Sequence, residues 1–423
     1  LSGGVMNFDR SIVEARDPDT GRISYVDNNS LSNDLTLSVD QNIPFLGGTL
    51  SLQSSLSRLD QFNYDSQTYN TVPLILNYTQ PIRAYNALKW RKKTAPLQYE
   101  NAQRAYLETM QDITINVTNL FFTVLSAQEN YRQSVADYED RKHLFEIAKK
   151  RLDLGTTTKS EVLQMELSLL NAKMSVNSTS LTLRTQLFSL FSYLRIVDYE
   201  DVELLPPYYM PDIEMNAEQV LDKAWTGSSH SIEQQLNLLE SQRALAEAKA
   251  NRGLQVEFRG RLGLSQSANE LPAAYRRLKD YETVGLTMTI PIYDWGMGRG
   301  KVRMAKTDVE ITKTQIEQAN IEFAHDVRTK VLQFNNQAEQ CKTSLRAQDI
   351  AAERYDIMKK RFENGSVTVT ELNTAQEEFE SAQHQYISQL QQFWTDYYGI
   401  QKLTLYDFIR KENIGVNFND LVN

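Results

Sequence analysis

The chain has 423 residues, a formal charge of −9 and a single cysteine, Cys341. Its mean hydropathy is −0.48 and its isoelectric point is near 5.2. No run approaches the roughly 18 apolar residues of a spanning helix. A β-barrel stays open, because its strands alternate and keep mean hydropathy low. The lone cysteine excludes a disulfide framework and a cysteine-based zinc site. The acidic balance argues against a nucleic-acid partner. Four scattered histidines, His143, His230, His325 and His384, offer no metal centre. We expect no cofactor and no catalytic residues, since no nucleophile–base pair is visible.

The first 85 residues read as strands. Leu35, Leu37 and Val39 alternate with polar residues. Leu50 and Leu52 follow Gly47-Gly48, a hairpin signal, and Leu74, Leu76 and Tyr78 alternate again. The next stretch is helical. No proline lies between Pro96 and Pro206, and Gly155 is the only glycine there. A helix from about Lys92 to Leu154 would run roughly 95 Å. Ile113, Val117, Leu120, Val124, Ala127 and Tyr131 step by four and three, a heptad seam. An Ala- and Glu-rich helix, Ile232 to Ala248, leads into strands at Val256 to Ser265 and at Val284 to Ile292. A second long helix follows, with Val327, Val331, Phe334, Ala338, Cys341 and Leu345 as its seam. After Gly300 the glycines are Gly365, Gly399 and Gly415.

The chain also repeats itself. Lys149 to Gly155 aligns with Lys359 to Gly365 at an offset of 210. Glu161 meets Glu371, Val117 meets Val327, and Gln80-Pro81-Ile82 meets Ile290-Pro291-Ile292 at the same offset. A whole strand–helix–helix unit is therefore duplicated. The helix before the second pair of strands has no counterpart before the first. We therefore expect native residues and a signal peptide upstream of Leu1. The first half also carries enough extra sequence for one additional hairpin.

Pro291-Ile292-Tyr293-Asp294-Trp295-Gly296, then a long helix, then Arg361-Phe362 through Gly365 to Glu371-Leu372, resembles the TolC family of outer-membrane efflux proteins. The resemblance covers nearly the whole chain. It implies a mixed α/β membrane protein in which a trimeric β-barrel continues into a long antiparallel coiled-coil α-barrel. On that reading residues 1–85 are barrel strands with the extra hairpin. Residues 86–198 are a tunnel helix, tip turn and return helix. Residues 199–230 form an equatorial segment and 231–255 an upward helix. Residues 256–293 are the second set of strands, 294–402 the second tunnel helix, tip and return helix, and 403–423 an equatorial tail. The implied function is the exit channel of a tripartite efflux or type I secretion system. Its implied partners are two further copies, a periplasmic adaptor (membrane fusion) protein, an inner-membrane pump and outer-membrane lipid. The alternative is a periplasmic coiled-coil adaptor or structural spacer, which would stay soluble without detergent.

Site expectations follow from both sources. Gly155 and Gly365 punctuate the helix tips and are expected at positive φ. Glu161 and Glu371 sit six residues beyond, where a carboxylate suits a helix start, with Ser160 and Thr370 as N-cap candidates. The resemblance adds functional roles. The tips, with Arg151 and Arg361, would dock the adaptor. The acid at the Glu371 position would line the pore constriction, and Glu161 would tie neighbouring coils at the closed tip. The sequence departs from the family pattern at three positions. Thr374 stands where a second pore acid is expected, Phe362 at the tip tyrosine position, and Val367 at the basic tip position. Gly296 to Gly300 does not complete a dinucleotide loop, and flexibility at the strand-to-helix join is expected there. Phe393, Trp394, Tyr397 and Tyr398 read as helix core near the equator.

Overall fold

A computed structural model describes residues 2–16, 21–197, 202–207, 210–363, 366–367 and 369–418. Gly365, parts of the equatorial segment and the last five residues lie outside them, as does the side chain of Phe362. The chain divides into two units. One combines Leu1–Tyr99 with Gln234–Ile316, and the other Glu100–Glu233 with Glu317–Asn423. Helices make up most of the chain, and one large sheet makes up most of the rest.

The first unit is built on that sheet. Its strands are β1 (Ser2–Arg16), β2 (Ile23–Ile43), β3 (Gly48–Gln61), β4 (Ser66–Arg83), β5 (Gln255–Ala268) and β6 (Lys279–Thr289). They pair antiparallel in the order β1-β2-β3-β4-β5-β6. The extra sequence of the first half thus forms strands of this sheet, and the Gly47-Gly48 signal marks the β2–β3 turn. A short helix, α5 (Leu271–Ala274), follows β5, and Thr71 donates its hydroxyl to the Ala274 carbonyl. Buried apolar side chains in the sheet unit are few, Ile75 and Ala274 among them.

Two helices of equal length leave the sheet: α1 (Ala87–Asp153) after β4, and α6 (Met297–Glu363) after β6, 67 residues each. Return helices α2 (Lys159–Leu194) and α7 (Val369–Thr404) have 36 residues each. Helix α1 starts five residues before the expected Lys92 and runs through Pro96. Asn86 explains the start, because its Oδ1 accepts the Lys89 N–H at 2.9 Å. Pro96 cannot donate to the carbonyl of Lys92, but one lost bond does not end a helix this long.

The second unit holds the core. Helix α3 (Ala217–Gly227) packs Val220, Leu221 and Ala224 against Val327, Val331, Phe334 and Ala338 of α6 and Phe393, Tyr397 and Ile400 of α7. Phe122 and Leu125 of α1 join Cys341, Ile387 and Leu390 in a second cluster. Of the aromatic run, Phe393 and Tyr397 are core, and Trp394 and Tyr398 are partly buried against it. The seam of α6 is buried from Val327 to Cys341, whereas Ile113 at the head of the α1 seam is exposed. Helix α4 (His230–Asn251) returns to β5. The tail forms a two-residue ladder, β7 (Tyr406–Asp407) with β8 (Glu412–Asn413).

Candidate pore face and helix-tip residues

The two faces of the sheet differ in chemistry. Side chains that pair directly across strands share a face. One row runs Val39, Leu52, Leu76, Leu262 and ends on β6 at Glu282. The next row, on the other face, runs Asp40, Ser51, Asn77, Arg261, Thr283. The alternation continues along the strands, with Leu37, Val284 and Leu286 on the apolar side. All of these apolar side chains are exposed. A soluble sheet would cover such a face with another layer. An uncovered apolar face backed by a polar one is the pattern of a barrel wall between lipid and water. No helix among the described residues is long and apolar enough to cross a membrane.

The first tip is resolved in detail. Gly155 has φ +70°, the left-handed conformation expected of it. Its N–H bonds the Leu152 carbonyl at 2.9 Å, and the Thr156 N–H bonds the Arg151 carbonyl at 2.9 Å. These two bonds close α1 in a Schellman motif. At the second tip the Ser366 N–H bonds the Arg361 carbonyl at 2.9 Å, the counterpart of the Thr156 bond. Lys150 and Arg151 end α1, and Lys360 and Arg361 end α6, where positive charge suits the helix dipole.

Glu161 belongs to a capping box. Its N–H donates to Thr158 Oγ1 at 3.3 Å, and its Oε2 accepts the Thr158 N–H at 3.3 Å. The N-cap of α2 is therefore Thr158 and not Ser160, which lies inside the first turn. The spacing Thr158-x-x-Glu161 is the sequence signal that would have pointed to it. Thr370 likewise lies within the first turn of α7. The Thr157 hydroxyl also donates to Glu161. That bond, with the Thr158 N–H, holds the Glu161 carboxyl below its ordinary pKa.

Glu371 is exposed in the first turn of α7, while Leu372 and Ala375 are buried on another side. Thr374 is exposed too and donates its hydroxyl to the Thr370 carbonyl at 3.0 Å. It lines an open groove between α6 and α7 with Glu339, Ser344, Ala347, Glu377 and Ser381. Val367 is half-buried.

Two functional features were missed in the sequence reading. Gly296 to Gly300 is not a flexible join. Asp294 accepts the N–H groups of Gly296 at 3.0 Å and Gly298 at 2.7 Å, which fixes the start of α6. Those bonds from Gly298 and Gly296 also hold the Asp294 carboxyl below its ordinary pKa. A side chain at Gly298 would place its Cβ 2.7 Å from Asp294 Oδ2. The second is the Tyr397 hydroxyl, which donates to Asp407 Oδ1 at 2.7 Å and accepts from Gln401 Nε2 and the Ile409 N–H. Burial, with Asp407 next in weight, pushes the Tyr397 pKa up, so this tie to the tail stays protonated.

Comparison with known proteins agrees with this geometry. No curated protein sequence matches the chain. The outer membrane channel CmeC of Campylobacter jejuni is 14% identical with a TM-score of 0.66, over 100% of this chain and 80% of that one. The open-state MtrE outer membrane channel of Neisseria gonorrhoeae is 13% identical with a TM-score of 0.61, over 88% and 80%. The outer membrane protein VceC of Vibrio cholerae is 12% identical with a TM-score of 0.57, over 89% and 86%. At these identities the likeness establishes the fold. The outer membrane efflux protein family matches residues 29–194 and 228–404, most of the chain. The chain belongs to the outer membrane efflux protein family, whose members are channels and not enzymes.

Proposed function

We propose that three copies of this chain form the exit duct of a tripartite efflux or type I secretion machine. The observation that carries this is the sheet: six strands, an uncovered apolar face, and two edges, β1 and β6, that pair with no further strand among the described residues. An open edge is not tolerated in lipid, so one such sheet cannot span a bilayer alone. Three six-stranded sheets supply 18 strands, within the range that encloses an aqueous channel. The extra strands of the first half then belong to the barrel wall.

The helical unit supports the same assembly. Leu163, Leu167, Leu170, Met174, Leu181 and Phe188 step along one side of α2 at heptad spacing, and all six are exposed. This unpaired seam needs a partner helix, and a second copy supplies one. The duplicated lengths of α1 and α6 and of α2 and α7 support a twofold internal repeat, which gives the assembly six similar coils. These helices extend into the periplasm, and their tips at Gly155 and Gly365 meet the adaptor, with Arg151 and Arg361 at the docking face. The pump lies beyond, in the inner membrane.

Glu371 is the gate residue in this reading. Three such carboxylates close to the axis attract cations and resist anions. With Thr374 in place of a second acid, the ring has one layer. With Phe362 and Val367 at the tip, and Glu161 engaged in its own capping box, closure depends more on packing than on polar ties. Single-channel recording tests this. Glu371→Gln reduces cation preference and weakens block by multivalent cations while leaving the fold intact. Unchanged selectivity leaves Glu371 with only its helix-start role.

A further inference from the structure

The strand-to-helix junctions carry a charge pattern that the channel reading does not use. Lys89, Arg91 and Lys93 lie in the first turns of α1, and Arg299, Lys301 and Arg303 in those of α6. The three pairs are related by the same offset of 210. No acid occurs from 84 to 99 or from 295 to 307, in a chain whose net charge is −9. All six cations are exposed. None makes an ion pair within 4.0 Å among the described residues. Asp294 is the neighbouring acid; its oxygens accept two backbone N–H groups, and its charge acts on Arg299 through space without an ion pair. Helix starts favour acids, so these cations oppose the dipole and call for an external anion.

Two rigid apolar knuckles stand beside this charge. In the β2–β3 turn, Phe45 is 90% exposed and Leu46 50%. Turns usually carry Gly, Asn, Asp or Ser. This one is held in place by Asn86 Nδ2, which donates to the Pro44 carbonyl at 3.0 Å, and by Gln80 Nε2, which donates to the Leu46 carbonyl at 2.7 Å. Asn86 also caps α1, so it ties the apolar turn to the basic helix start. At the other junction Trp295 is 86% exposed and has φ +53°. That conformation is costly for a bulky aromatic, and strain of this kind points to a role. Tyr293 packs edge-on against Trp295, and Ile292 beside it is also exposed. Both knuckles sit at one end of the sheet, since Ile43 pairs with Gly48 and Gln255 with Thr289.

We propose that these junctions are a binding surface for anionic phospholipid in the leaflet on the helix side of the barrel. Phe45, Leu46, Ile292, Tyr293 and Trp295 enter the boundary between headgroups and acyl chains, where aromatic side chains concentrate. The six cations take the lipid phosphates, each adding roughly fivefold to affinity near an anionic surface. The proposal rests on the outer-membrane channel reading and adds a lipid chemistry to it.

Native mass spectrometry of the full chain, extracted in mild detergent and mixed with phosphatidylglycerol or phosphatidylcholine, tests it. The wild type should retain phosphatidylglycerol at least about tenfold better, from the sum of such charge contributions, and lose that preference in high salt. A variant with Lys89→Gln, Arg91→Gln, Lys93→Gln, Arg299→Gln, Lys301→Gln and Arg303→Gln should assemble and conduct but show no preference. Brominated phospholipid should quench wild-type tryptophan fluorescence, with most of the quenching lost in Trp295→Phe. Equal phosphatidylglycerol retention by the six-site variant overturns the proposal. So does a change in ion selectivity with lipid retention unaltered, which would place the cations in the lumen. A chain that enters no bilayer, phosphatidylcholine included, instead contradicts the channel reading itself.

Discussion

The return helices α2 and α7 have the same length and follow the same kind of tip, yet they solve the burial problem differently. Helix α7 sets Phe393, Tyr397, Ile400, Ile387 and Leu390 into core, against Val327, Val331, Phe334 and Cys341 of α6 and against α3. Helix α2 leaves Leu163, Leu167, Leu170, Met174, Leu181 and Phe188 exposed at heptad spacing. One return helix is satisfied within the chain. The other presents an apolar seam, and the sheet presents an apolar face, and neither is covered by the chain itself. In the proposed assembly, folding and association draw on separate surfaces, and substitutions can address one without the other.

The largest expected effect is on assembly. Replacing both Leu167 and Leu170 by Glu puts two charges into each α2 seam, and charge in a dry interface is severely penalised. Size-exclusion chromatography with light scattering should show loss of the proposed trimer, while far-ultraviolet circular dichroism keeps its helical signal. Loss of the helical signal would show that the seam is core and not interface.

Phe334→Ala tests the other side of the comparison. The ring is fully buried and touches Phe393 and Tyr397. Removing it should cost about 3–5 kcal/mol, read as a lowered denaturation midpoint in detergent with no new oligomeric state. A loss below about 1 kcal/mol, of surface size, would mean the α6–α7 core is not where stability resides.

Tyr397→Phe should act through the same core with a smaller effect. The change leaves Gln401 and the Ile409 N–H without their phenol oxygen, at about 1–3 kcal/mol. Asp407 still accepts the N–H groups of Ile409 and Arg410, each at 2.9 Å. Proteolysis of the tail beyond Leu405 should accelerate before global unfolding shifts much.

The smallest effect is at the first tip. The folded pKa of Glu161 lies below its ordinary 4.5. Its contribution is therefore present above that value and lost as pH falls through the folded pKa. Protection of the Gly155 to Val162 amides, taken relative to their intrinsic exchange rates at each pH, should fall on acidification in the wild type and depend less on pH in Glu161→Gln. Identical pH profiles would show that the capping box does not hold the tip.

The helices could be read from the sequence because glycine and proline are scarce where α1, α2, α6 and α7 run, and because a wrong period cannot sustain a seam like Val327 to Cys341. The tip glycine was equally readable, since Gly155 can adopt φ +70° without a Cβ penalty. What failed was local hydrogen bonding. The expected start of α1 was about Lys92, but Asn86 caps the helix earlier. Ser160 suggested an N-cap, but the box spacing selects Thr158. The glycines at 296–300 suggested flexibility, but Asp294 pins them. In each case a single side chain satisfies orphan N–H groups that periodicity does not register. The basic residues that pair α1 with α6 were also visible, but their meaning depends on exposure, which the sequence does not give.

The central claim is that this chain cannot close a pore alone. Native mass spectrometry of the protein extracted from outer membranes tests that most directly. The account predicts one folded species at three times the 48.6 kDa chain mass, which conducts when reconstituted. A folded, membrane-inserted and conducting monomer would contradict it.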